Sequence, residues 1–301
     1  MTRSTRRDFF KHSISCVAAA SAAGPLCGRL CSAAEKPGSK MKLGLVTYLW
    51  GQDWDLPTLI TNCDKSGVLG VELRTTHRHG VEPSLNAVQR KEVKQRFDDS
   101  PAVFVGPGSN ERFDDPDPAG LTAAIEATKA FVRLSHDCGG SGVKVKPNSF
   151  HKDVPREKTI EQIGKSLNTV GEFAGDHGQE IRLEVHGSCC ELPTIKAIME
   201  VADNPNVGVC WNSNGQDLAG EGLVHNFNLV KDRFGATVHV REFNVGSYPY
   251  AELVKLLAGI DYAGWILLEC RTRPKDRVAA LIEQRELFEQ MLANAGSGIG
   301  S

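Results

Sequence analysis

The chain has 301 residues, 41% apolar side chains and 30 glycines, a globular composition long enough for one large α/β domain or two small ones. Lys and Arg number 35 against 37 Asp and Glu, a net charge of −2, so no overall basic field draws in nucleic acid. After residue 34 no apolar run is long enough to span a bilayer.

Taken in chain order, the first element is an address. Thr5-Arg6-Arg7-Asp8-Phe9-Phe10-Lys11 resembles a twin-arginine export signal. An alanine-rich stretch from Ile14 to Ala23 follows, and small residues at Ser32, Ala33 and Ala34 offer a cleavage site. Residues 1–34 are therefore expected to be a signal peptide and 35–40 a linker, with the mature protein periplasmic or extracellular. Leu30 before Cys31 does not make a lipobox, so no stable membrane anchor is expected. Removal of the signal leaves Cys63, Cys138, Cys189, Cys190, Cys210 and Cys270, without the CxxC spacing of a zinc ribbon or redox motif. Cys210 and Cys270 lie in apolar runs and read as small core residues.

From Met41 one pattern repeats: a short β-branched or apolar run, then a longer helical segment, with Gly, Pro, Asn or Asp at the joints. Strands are predicted at Lys42–Leu49, Gly70–Arg74, Ala102–Val105, Gly142–Lys146, Ile181–His186, Val207–Trp211, Val238–Phe243 and Trp265–Glu269. Helices follow near Pro57–Ser66, Ser84–Asp98, Ala119–Asp137, Thr159–Gly175, Leu192–Ala202, His225–Phe234, Tyr250–Ala258 and Val278–Ala293. Eight such units in about 250 residues predict a single (β/α)8 TIM barrel over 41–295, with a flexible tail at 296–301. An open doubly wound sheet would carry a glycine-rich turn after its first strand, and Thr47-Tyr48-Leu49-Trp50-Gly51-Gln52 is not one. Gly106-Pro107-Gly108-Ser109-Asn110 reads as a tight turn rather than an anion-binding nest.

In a TIM barrel the active site lies at the C-terminal ends of the strands. There the fifth to eighth strands offer Glu184, Asn212, His239 and Glu269 in succession: two carboxylates, an amide and an imidazole. Mixed oxygen and nitrogen ligation suits one divalent ion such as Mn, Mg, Co or Zn, with no thiolate required.

These segments, Leu183–Gly187, Val207–Asn214, Val238–Phe243 and Tyr262–Glu269, resemble the xylose isomerase-like barrel family, which includes sugar isomerases, ketose 3-epimerases and endonuclease IV-type enzymes. The resemblance implies one divalent metal held by Glu184, Asn212, His239 and Glu269. It departs at Asn212, where the family usually has aspartate; an amide there lowers the ligand charge and weakens metal binding. It also implies a carbohydrate substrate, with Glu184 and Glu269 moving a proton next to a ketose carbonyl.

Further candidates for substrate contact share faces with these residues. His186 lies two residues beyond Glu184 and Arg241 two beyond His239. Glu72 and His77 flank the end of the second strand, Lys146 ends the fourth, and His151 is a candidate for a lid in the loop after it. Three functions stay open: an isomerase or epimerase, a lyase acting on 3-keto-glycosides through the same enolate, and a non-catalytic sugar-binding relative. A multi-zinc nuclease would need more ligands and a basic groove, whereas the body after residue 34 carries 30 Lys and Arg against 36 Asp and Glu. Homo-oligomer formation stays open as well.

Overall fold

In the computed structural model, the structure describes residues 40–297. The expected export signal lies outside the described residues, as does the expected linker apart from Lys40. No helix among the described residues is long and apolar enough to cross a membrane. The six cysteines of the body are buried and unpaired.

Eight parallel strands close into a barrel in sequence order, β1 pairing with both β2 and β8. They are β1 Lys42–Val46, β2 Gly70–Arg74, β3 Val103–Arg112, β4 Gly142–Lys146, β5 Glu180–Glu184, β6 Val207–Asn212, β7 Phe234–Val240 and β8 Trp265–Leu268. The outer helices are α1 Leu56–Ser66, α2 Ala87–Asp98, α3 Pro118–Cys138, α4 Arg156–Asp176, α5 Leu192–Val201, α6 Gly222–Val230, α7 Tyr250–Gly259 and α8 Arg277–Ser297. Local chemistry fixes several ends. Asp55 accepts from the Thr58 N–H to start α1, and Gly67 closes it in a left-handed conformation. Asn86 and Gln89 form a reciprocal capping box on α2. The last helix continues to Ser297, past Gly296, where the tail was expected to begin.

Two departures from the sequence reading have physical causes. Gly106–Asn110 is not a tight turn; it is the middle of β3. A Cβ at Gly106 would lie 2.0 Å from the Gly142 carbonyl oxygen, so the glycines here admit a neighbouring strand. The seventh strand lies four residues earlier than expected at its start. Its second residue is a glycine because the Glu180 carboxylate sits 3.0 Å from where a Gly235 side chain would begin. It ends early because Glu242 turns away to accept from the Arg271 and Thr272 N–H groups.

The lower barrel interior explains that crowding. TIM-barrel interiors are usually layered with branched apolar side chains. Here Arg182, 1% exposed, occupies the centre. Its guanidinium donates to Glu180 Oε2 at 2.7 Å, Ser141 Oγ at 2.7 Å and the Val105 carbonyl at 3.1 Å. A buried charge is tolerated only with such complete pairing. This polar plug sits under the mouth of the barrel, where the candidate site begins.

Candidate functional site

Strand register sets the site. Glu184 ends β5 opposite Cys210, and Asn212 ends β6 opposite His239. Glu269 follows β8 directly, its N–H donating to the Val240 carbonyl at 2.7 Å. Ligand atoms of Glu184, His239 and Glu269 all lie within 4.8 Å of one another. Glu184 and His239 are fully buried, and Glu269 is half-buried.

Around this triad every neighbour has a defined partner. Glu72, from β2, places Oε2 3.2 Å from His239 Nε2. Lys144, from β4, places Nζ 2.9 Å from Glu184 Oε2 and donates to the Ser109 carbonyl at 3.1 Å. The Asn212 amide nitrogen donates to Glu184 Oε1 at 2.7 Å. His239 Nδ1 is buried without a hydrogen-bond partner, 3.8 Å from Glu184 Oε1.

The two glutamates are driven apart electrostatically. Burial alone would raise Glu184, but the Lys144 ammonium and the His239 imidazole hold it well below the ordinary carboxylate range. Burial and the neighbouring Glu184 charge push Glu269 up. Lys144 stays charged against its burial because Glu184 and Glu72 face it. His239 is held well above its ordinary value against burial, by Cys210, Glu72 and Glu184. One carboxylate is thus kept ionised and the other is the easier to protonate, the arrangement that separates base from acid in a shared site.

These residues fit a divalent ion. Two carboxylates and an imidazole converge, and the unpartnered Nδ1 of His239 faces them. Behind it, Glu72 takes the other ring nitrogen as carboxylates do behind metal-bound histidines. A metal at Nδ1 displaces the imidazole proton there.

The remaining sequence candidates are distributed around this floor. Glu72 is buried beneath the mouth as the partner of His239 rather than in an open loop. His186 stands half-buried beyond Glu184, its Nδ1 without a partner. Lys146 donates to Asn110 Oδ1 at 3.1 Å, and burial with the nearby Lys144 charge lowers its ammonium to about 8. Arg241 donates from Nη2 to Asn214 Oδ1 at 3.0 Å and makes no ion pair with Glu269. His77 lies between Thr47 Oγ1, at 3.1 Å, and Arg74 Nη1, at 3.5 Å. Burial and the Arg74 charge push it down to about 4, so it is a neutral imidazole. His151 is drawn to Asp114, 3.2 Å away, joining the loops after β3 and β4. The sequence reading turned Lys144 and Lys146 to the same rim but gave the carboxylate-neutralising role to Lys146, whereas Lys144 fills it; Arg271 was not singled out. The signal for both was the two-residue strand period, Lys144 below Lys146 and Arg271 beyond Glu269. A 690 Å³ cavity between α6, α7 and α8, lined by residues such as Phe227, Leu256 and Met291, holds none of these converging groups.

Comparison with known proteins agrees with the barrel fold. A family model described as Xylose isomerase-like TIM barrel matches residues 60–291. No curated protein matches by sequence. Among solved structures, the 3-keto-D-glucoside 4-epimerase of E. coli superposes with a TM-score of 0.71 at 15% identity, covering 83% of this chain and 100% of that one. The D-allulose 3-epimerase of Methylomonas sp. in complex with D-allulose gives 0.69 at 17% identity, covering 84% and 97%. The IOLI protein with a bound zinc atom gives 0.65 at 16% identity, covering 87% and 100%.

Proposed function

Because the chain belongs to the Xylose isomerase-like TIM barrel family, we propose that it is a divalent-metal-dependent sugar isomerase or epimerase working beside a ketose carbonyl. The observation that carries this reading is the convergence of two carboxylates and an imidazole, Glu184, Glu269 and His239, whose ligand atoms all lie within 4.8 Å of one another. Glu184, His239 and Glu269 hold the ion, with Asn212 as the neutral fourth member. When bound, the ion polarises the carbonyl and makes the adjacent C–H more acidic.

The chain's own groups do the rest. Glu184 takes the proton from the carbon beside the carbonyl. Lys144 fixes the Glu184 carboxylate through Oε2, and Glu72 fixes the imidazole of His239. Glu269 returns a proton from the opposite side. Return to the same carbon inverts a stereocentre; return to the neighbouring carbon moves the carbonyl. His186, Arg241, Lys146 and His77, half-buried above the floor, supply hydrogen bonds to the substrate. The similarity to a 3-keto-D-glucoside 4-epimerase supports a second reading, in which the same enolate is formed on a 3-keto-glycoside and expels its aglycone.

The experiment is a product analysis on a panel of ketoses and 3-keto-glycosides, with manganese and with chelator. Epimer or isomer formation that chelator abolishes supports the first reading, and aglycone release supports the second. Binding without turnover by the manganese-loaded protein leaves only a sugar-binding relative. The reading includes export through the twin-arginine motif, making the working compartment periplasmic or extracellular. Arg6→Lys with Arg7→Lys should retain the precursor in the cytoplasm; normal export of that variant would remove the assignment.

A further inference from the structure

Residues i and i+2 share one face of a strand pleat, and the same two-residue step, taken from the floor residues at or just past the strand ends, marks a second tier above the floor. The lower tier is the floor of carboxylates, imidazole and Lys144. The upper tier, two residues further along the same strands, has a different character. Arg74 follows Glu72, Lys146 follows Lys144, His186 follows Glu184, Arg241 follows His239 and Arg271 follows Glu269. No acidic residue stands in this tier on any of the eight strands; the other three positions are Tyr48, Asn110 and Asn214.

Those three neutral residues hold the cations from the adjoining strand. The Arg74 guanidinium packs 5.3 Å from the centre of the Tyr48 ring. Lys146 is held by Asn110, and Arg241 by Asn214. None of Arg74, Lys146, Arg241 and Arg271 forms an ion pair with a carboxylate among the described residues. Arg241 Nε is buried without an acceptor. A 210 Å³ cavity opens beside it, lined by Ser213, Asn214 and Tyr248.

The floor does not balance this charge. Three carboxylates, Glu72, Glu184 and Glu269, face one ammonium, Lys144, and the divalent ion of the proposed function, when bound, would cancel what remains. Of the rim cations Arg74, Lys146 and Arg241 are half-buried and Arg271 is exposed, and among the half-buried three like charges repel more strongly than in water. A sugar of hydroxyls alone supplies no counter-charge. A planar or tetrahedral oxyanion does, and guanidinium forks bind such groups through paired hydrogen bonds.

Resting on the isomerase reading of the floor, we propose that the substrate is an anionic sugar. Its carboxylate or phosphate group binds the rim formed by Arg74, Lys146, Arg241 and Arg271, while the carbons beside its carbonyl face Glu184 and Glu269.

The test is calorimetric titration of the manganese-loaded full chain with D-fructose, D-fructose 6-phosphate and D-fructuronate, at low and high salt. At least one anionic sugar should bind roughly tenfold or more tightly than fructose, with the advantage shrinking as salt rises. The phosphate and uronate arms tell which oxyanion the rim takes. Arg74→Gln and Arg241→Gln should each reduce the ratio of anionic to neutral affinity, and Arg74→Lys should reduce it less. Equal affinity for neutral and anionic sugars, failure of both anionic sugars to bind, or an anionic preference that neither Gln variant changes, overturns the proposal. Proton exchange measured on the same sugars separates the two readings. Turnover of fructose without anionic preference removes the anionic substrate alone. Anionic preference without exchange on any of the three keeps the rim site and removes the isomerase.

Discussion

Lys144 Nζ lies 2.9 Å from Glu184 Oε2, with the two side chains 2% and 1% exposed. A permanent cation thus sits beside the carboxylate proposed to bind a second, exchangeable one. Removing one partner of a buried ion pair leaves the other charge uncompensated, at a cost of about 3–5 kcal/mol. Lys144→Met should therefore lower the thermal midpoint of the metal-free protein. Because the vacated charge can be supplied by an ion near Glu184, manganese should raise the midpoint more in the variant than in the parent. Differential scanning calorimetry with and without manganese measures both. An equal manganese shift in the two proteins would place the ion away from Glu184.

Asn212 donates to Glu184 Oε1 at 2.7 Å, so its replacement by aspartate sets two carboxylates face to face. Without metal that contact is repulsive; with metal it adds a charged oxygen ligand, which hard divalent ions favour over an amide. Asn212→Asp should lower the metal-free midpoint and tighten manganese binding by about tenfold, since one pK-sized electrostatic change is about 1.4 kcal/mol. Titration calorimetry showing weaker manganese binding in the variant would take residue 212 out of the coordination sphere.

Asp217 is fully buried, accepts from the Asn214 N–H and the Tyr248 hydroxyl, and has its other oxygen without a partner. Burial raises its carboxyl from 3.8 to about 7. The folded state then binds this proton more tightly than the unfolded chain. The group's favourable contribution is complete below pH 4 and is lost as pH rises towards 7. At about 1.4 kcal/mol per unit, the loss is of order 4 kcal/mol. Asp217→Asn should flatten this part of the stability profile, so that the variant gains on the parent between pH 5 and pH 8. Denaturant unfolding at those two pH values is the measurement; parallel profiles would contradict the assignment.

The fold was legible because strand and helix periods alternate with little interruption. Gly70–Arg74 and Gly142–Lys146 were delimited to the residue by apolar runs with glycine at one end. The start of β7 was obscure because Gly235 there admits the Glu180 side chain, a constraint from another strand that no local pattern carries. Likewise the extent of β3 was hidden by its glycines and proline, which normally signal a turn. The converging residues Glu184, His239 and Glu269 could be read from strand ends alone. Their supporting contacts could not. That Glu72 meets His239, and Lys144 meets Glu184, depends on barrel closure and register across strands far apart in sequence.

The central claim is that Glu184 and Glu269 pass a substrate proton beside a metal-polarised carbonyl. Deuterium wash-in from heavy water tests it most directly, using the manganese-loaded protein and a ketose panel that includes anionic members. The account predicts deuterium at the carbon next to the carbonyl, loss of exchange with chelator, and restoration by manganese. It also predicts that Glu184→Gln abolishes turnover and that Glu269→Gln blocks product while still allowing wash-in on the face served by Glu184. Binding of these sugars by the metal-loaded protein with no deuterium incorporated, or exchange at an undiminished rate in Glu184→Gln, would contradict it.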